Sequence, residues 1–219
     1  MSRKESEVLL EQFQRFCEEN PLRFDPEQLD RIACDIREPR NGIVFDEYVE
    51  FILWTKGLKS RQEYFADFIE RIFSRERYRK LLEVGAGKHA RMSVLLSEKG
   101  YEMTAMDPEL MPETVESEAV RCIKDCFHYG QTDVTGYDAV VAQEPCEATE
   151  HIVRACTAER KDFLISLCGT PHRLMNGEMP ADLTEWYEYL QETGGSNCFL
   201  IEPQLIPGYV SYVLIGVFR

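Results

Sequence analysis

Residues 81–107 read LLEVGAGKHARMSVLLSEKGYEMTAMD. An apolar run over 81–84 breaks at Gly85 and Gly87. A helix-like pattern follows over 90–98, and a second apolar run over 101–106 ends on Asp107. This predicts a strand, a glycine turn, a helix and a parallel strand with an acid at its tip. Glycine lets the backbone turn sharply and lets a ligand come into contact with it. The helix, starting near residues 88–90, would offer unpaired N–H groups to an electron-rich ligand. Asp107 stands about twenty residues along, where a carboxylate can accept hydrogen bonds from ribose hydroxyls. A nucleoside-type cofactor is the expectation.

Outward from that unit the pattern keeps alternating. Strands are expected over 81–84, 101–106, 119–123, 139–142, 163–167, 198–201 and 210–218. Helices are expected over 90–98, 148–158 and 181–192, with a short piece near 112–117. Such alternation predicts an α/β fold with a seven-stranded, mostly parallel sheet covered on both faces. No helix separates the last two strands. A loop with Pro203, Pro207 and Gly208 joins them, which predicts an antiparallel hairpin. The final strand is too apolar for an exposed edge, so it belongs inside the sheet.

Residues 1–79 read as helices instead. Leu9, Leu10, Phe13 and Phe16 fall at helical spacing. Asp25-Pro26-Glu27 signals the start of a second helix, and residues 38–42 a turn. Phe45, Tyr48, Val49, Ile52 and Leu53 define a third apolar face. Tyr64, Phe65, Phe68, Ile69 and Ile72 define a fourth. The expected organisation is a helical N-terminal cap over 1–79 and a Rossmann-like sheet domain over 80–219.

The 219 residues, 44% of them hydrophobic, suffice for one sizeable core and a smaller layer. No apolar stretch is long enough to cross a bilayer, and the start lacks a signal-peptide pattern, so a cytoplasmic protein is expected. A net charge of −14 opposes nucleic acid and favours small molecules or protein partners. The eight cysteines, irregularly spaced, read as thiols rather than disulfides.

Three ligand classes use a turn like that at 85–90. A phosphate-cradling loop needs a hydroxyl after Gly-Lys, but His89 follows Lys88. A dinucleotide site needs G-x-G-x-x-G or -A, which residues 85–90 satisfy through Ala90. A nicotinamide-dependent oxidoreductase therefore stays open. The third class is S-adenosylmethionine (SAM). Leu81-Leu82-Glu83-Val84-Gly85-Ala86-Gly87 resembles the first motif of the class I SAM-dependent methyltransferases, an acid followed by x-Gly-x-Gly. Dinucleotide enzymes normally carry an apolar residue at the position of Glu83. An acid on an apolar strand is costly unless it meets a donor or a positive group. Glu83 therefore favours SAM.

The resemblance runs from about residue 80 to the C-terminus. It implies cofactor contacts from Glu83, Val84, Gly85, Ala86, Gly87 and His89 of the first motif. It also implies contacts from Asp107 and Pro108 (ribose), Asp125 and Cys126 (adenine) and Gln143. The terminal hairpin matches the family's reversed last strand, and a helical N-terminus often serves as a substrate lid or homodimer surface. His89 departs from the family, which often has a third glycine there. The implied activity is methyl transfer to a small molecule or a protein side chain. A non-catalytic module that kept the fold is the other alternative.

The acid–base candidates cluster after the fourth and fifth strands. Glu144 precedes Pro145 at the carboxyl edge, where open α/β sheets hold ligands. His151 and His172 are candidate bases because imidazole titrates near neutral pH. Two Cys–His pairs, Cys146-x4-His151 and Cys168-x3-His172, contain the donor types of tetrahedral zinc. Thiols and a polar histidine account for them without a metal, and no metal ligand is assigned.

Overall fold

All seven expected strands form. They are β1 (Lys80–Val84), β2 (Glu102–Met106), β3 (Val120–Ile123), β4 (Ala139–Gln143), β5 (Asp162–Ser166), β6 (Cys198–Ile201) and β7 (Val213–Gly216). They make one sheet in the order β3-β2-β1-β4-β5-β7-β6. β1 to β5 pair in parallel, and β7 runs antiparallel to both β5 and β6. The computed structural model describes residues 3–19 and 46–218. The helix start at 25–27, the turn at 38–42 and Phe45 lie outside the described residues, as do the side chains of Leu9, Leu10 and Tyr48.

The sequence explains which strands are central. β4 and β5 are buried almost from end to end, which is what continuous apolar runs produce when helices cover both faces. The edge strands β3 and β6 have only four residues each, with Arg121 and Phe199 facing solvent. Short edges limit unwanted pairing. β7 lies inside the sheet as expected, but it covers four residues rather than the nine of 210–218. Pro203 and Pro207 lack the N–H a strand needs. The chain turns instead, Tyr209 N–H donating to Ile206 O at 3.1 Å, and Val210 is 68% exposed.

The helices of this part are α3 (Arg61–Ile72), α4 (Arg91–Glu98), α5 (Ala148–Ala158) and α6 (Leu183–Gly194), with a 3₁₀ turn at Pro112–Thr114. α6 starts two residues later than expected. Asp182 accepts from Glu185 N–H at 3.0 Å while Glu185 accepts from Ala181 N–H, a reciprocal cap. Ile72 faces solvent rather than the core. α3 ends there, and Phe73, 1% exposed, takes the inward position.

Two compact units emerge, Met1–Arg61 and Gln62–Arg219. The division falls at the first residue of α3, and the segment after residue 61 is tied to the sheet. Lys99 bridges Asp67 (2.9 Å) and Glu70 (2.8 Å) of α3. Tyr101 Oη donates to Phe73 O at 2.6 Å, and Tyr78 Oη to buried Asp162 at 2.7 Å. In the first unit α1 (Arg3–Glu19) meets α2 (Asp46–Thr55) through Phe13, Phe16, Phe51 and Trp54. Trp54 Nε1 donates to Glu19 at 3.1 Å.

Candidate active site

The carboxyl ends of β1, β2, β3 and β4 surround a cleft of about 630 Å³. Its floor is the glycine turn. Gly85 (φ 74°) and Gly87 (φ 67°) both hold left-handed backbone. A Cβ at Gly85 would sit 3.0 Å from the Pro145 Cα, so glycine is needed where the loops after β1 and β4 touch. The N–H groups of this turn are not bare. Gly85 N–H and Ala86 N–H donate to Met106 O at 3.0 and 3.3 Å. Gly87 N–H donates to an Asp107 oxygen at 2.9 Å. These N–H groups, expected to be open to a ligand, are therefore engaged internally.

Glu83 lies one layer below the cleft and does not border it. It is 3% exposed and accepts from both the hydroxyl and the backbone N–H of Ser93, in the first turn of α4. The carboxylate thus takes up an N–H at the start of α4, where Ala90 (φ 45°) makes no side-chain cap. Burial pushes its pKa up to about 7, against the Ser93 hydrogen bonds that favour the charge, and the Asp107 charge adds to the rise. His89, at the family's third-glycine position, is outside the cleft too. Its Nδ1 lies 2.6 Å from Thr114 Oγ1, while Met111 N–H donates to Lys88 O at 2.9 Å. These bonds pin the glycine turn to the 3₁₀ turn.

Asp107 borders the cleft with both oxygens anchored, one by Gly87 N–H and the other by Glu109 N–H at 2.7 Å. Each keeps a lone pair for a ligand hydroxyl. Asp125, Cys126 and Phe127 follow β3 along the wall, and Glu144, Pro145, Cys146, Glu147 and Ala148 follow β4. The lining holds five carboxylates (Asp107, Glu109, Asp125, Glu144, Glu147) and, among the described residues, no Lys or Arg. His128 and His151 complete it, their rings 5.5 Å apart. Burial, then the neighbouring His128, lowers the His151 pKa. His151 Nδ1 accepts from Tyr129 N–H at 3.1 Å, so the neutral ring carries its proton on Nε2. In that tautomer it is a hydrogen-bond donor rather than a base.

Glu144 (φ 53°) and Cys146 (φ 51°) hold left-handed backbone on either side of Pro145. Each such residue stores of order 1–3 kcal/mol, a cost that concentrates at functional sites. Beside them the loops after β4 and β5 meet. The Cys168 thiol donates to Cys146 Sγ at 4.0 Å. That bond, then the contact with His172, lowers the Cys146 pKa to about 5, and the same contact raises that of His172. The His172 ring also packs edge-on against Trp186, centroids 5.4 Å apart.

Of the expected site residues, Val84, Gly85, Gly87, Asp107, Pro108, Asp125, Cys126, Glu144 and His151 meet at the cleft. Glu83, Ala86, His89, Gln143 and His172 do not border it. Ser93, Glu109, His128 and Glu147 were not singled out from sequence. Ser93 had a usable signal, since a buried acid on β1 needs a donor from the helix that follows.

The strand order, the reversed β7 and the acid-tipped β1–α4–β2 unit give a Rossmann-like α/β fold. No protein-family profile matches the chain, and no curated protein matches it in sequence. Solved structures resemble it. A candidate hemolysin from Lactococcus lactis aligns over 73% of this chain and 88% of its own at 12% identity, with a TM-score of 0.50. The 1,6-didemethyltoxoflavin-N1-methyltransferase of Burkholderia thailandensis, bound to its namesake compound and S-adenosylhomocysteine, aligns over 85% of both chains at 16% identity (TM-score 0.48). A candidate O-methyltransferase from Nostoc punctiforme aligns over 78% of this chain at 13% identity (TM-score 0.48), and the match spans 58% of that protein's length. At these identities the likeness reaches the fold and no further.

Proposed function

We propose that the chain is a SAM-dependent methyltransferase. The observation that carries this reading is the charge of the cleft, five carboxylates with no Lys or Arg among the described residues. SAM brings a sulfonium and an ammonium, which such a cleft attracts. A nicotinamide dinucleotide brings a pyrophosphate, which it repels. The engaged N–H groups at 85–87 also argue against pyrophosphate, which needs them as donors.

In this reading the ribose hydroxyls donate to the spare lone pairs of Asp107. The adenine lies against Pro108 and Phe127, with its amino group toward Asp125. Glu83, from beneath, holds the glycine turn and α4 in register. The acceptor, on a small molecule or a protein side chain, enters near Glu144. Its lone pair attacks the methyl carbon, the carbon–sulfur bond breaks toward sulfur, and S-adenosylhomocysteine leaves as a neutral thioether. Alignment supplies much of the rate, because the sulfonium is already activated. The test is calorimetry with S-adenosylhomocysteine, NAD⁺ and NADP⁺. Micromolar binding of the first alone is expected. Binding of a dinucleotide instead would overturn the reading.

A further inference from the structure

The loops after β4 and β5 carry a cluster that methyl transfer does not require. Cys146 Sγ, Cys168 Sγ and one ring nitrogen of His172 all lie within 4.8 Å of one another. Tetrahedral zinc, with Zn–S bonds of about 2.3 Å, separates two thiolate sulfurs by about 3.8 Å. The two sulfurs here stand 4.0 Å apart. His172 Nε2 is buried and has no hydrogen-bond partner among the described residues. Protein groups alone leave this nitrogen unsatisfied, which costs stability.

The supports behind the three donors are what a metal site needs. Thr149 Oγ1 donates to Cys146 O at 2.7 Å, and Tyr187 Oη to Cys168 O at 2.9 Å. Trp186 holds the His172 ring. Cys168 is buried, whereas Cys146 is exposed and borders the cleft. Three protein donors with one side open is the pattern of a catalytic zinc rather than a closed structural one.

We propose that Cys146, Cys168 and His172 bind a zinc ion whose fourth position opens to the cleft. Both cysteines bind as thiolates and release any protons they carry to solvent. Water fills the fourth position until an acceptor with a soft donor atom, a thiol, replaces it as thiolate. The last statement rests on the methyltransferase reading, while zinc binding itself does not. His151, paired with Cys146 in the sequence, is not a ligand, because its Nδ1 is held by Tyr129.

The test uses the full chain, reduced with a phosphine and stripped of metal. Zinc titration against a chromophoric chelator is expected to show one ion per chain with an apparent Kd below about 100 nM. Cobalt(II) as probe should give a tetrahedral spectrum with thiolate-to-metal charge transfer. Cys168→Ser and His172→Ala should each weaken binding by about 100-fold or more. Alkylation of the unmutated protein guards against misfolded variants: zinc should protect Cys146 while exposed Cys126 reacts either way. A Kd weaker than about 10 μM on folded protein would overturn the proposal. So would unchanged alkylation of Cys146, or a Cys146–Cys168 disulfide in freshly purified material. Zinc uptake without S-adenosylhomocysteine binding would sink the donor reading and leave the metal site standing. The reverse would sink the metal site alone.

Discussion

The two halves of the cleft rim are built differently. The half at β1 and β2 is one continuous β–α–β unit, and its key bonds, Glu83 to Ser93 and Asp107 to Gly87, span 10 and 20 residues. The half at β4 and β5 is assembled from separate loops, with Cys146 and Cys168 22 residues apart and aligned only by sheet register. That register pairs Gln143 with Ser166, setting the residues just beyond them side by side. In the proposed reading, local geometry makes the first half the cofactor platform. Topology makes the second a meeting point of soft ligands. Even their buried acids behave oppositely, since Glu83 is pushed up toward neutral while Glu150 of α5 is held down.

The largest test of this contrast is Asp107→Ala. Losing about two charge-assisted hydrogen bonds should weaken S-adenosylhomocysteine binding by about 1,000-fold in calorimetry. A change under about threefold would mean the first half is not the platform.

Glu150→Gln should act on stability instead. Burial alone would raise the Glu150 pKa, but Met175 N–H (2.7 Å), Arg154 Nε (2.7 Å) and Tyr189 Oη (2.8 Å) outweigh it and hold the group below its ordinary value. Breaking this knot should cost about 3 kcal/mol in urea unfolding and leave S-adenosylhomocysteine affinity within about twofold. A matched loss of affinity would show that the halves are coupled.

pH separates the two acids. A carboxyl whose folded pKa is raised, as for Glu83, contributes stability fully present below its unfolded value near 4.5 and lost as pH climbs through about 7. Glu150, held low, contributes stability at neutral pH that is lost as pH falls through its lowered pKa. Glu83→Gln should therefore match the parent near pH 4 and exceed it above pH 7.5, by up to about 3 kcal/mol. Melting curves across that range check this, and a constant difference at every pH would refute it.

The smallest effect expected is at the seam. Gly85→Ala puts a Cβ on left-handed backbone against Pro145. It should cost about 1–2 kcal/mol of stability and, by shifting the loop after β4, disturb both halves at once. If only donor binding changes, the seam does not connect them.

The sequence alone determined the strand count, the reversed terminal strand and the strand–turn–helix–strand unit that ends at Asp107. Hydrophobic period, glycine placement and an acid after a strand are properties of adjacent residues, and adjacent residues stay adjacent on folding. α5 lies over the residues expected, 148–158, because its apolar face repeats at helical spacing. Only the tertiary structure decided that Glu83 serves α4 from beneath the cleft, that the turn's N–H groups are engaged, and that His172 joins Cys146 rather than the cleft wall. It alone separated His151 from the second Cys–His pair. Those outcomes depend on side-chain direction and on register between strands distant in sequence, and neither is written in the spacing of residues along the chain.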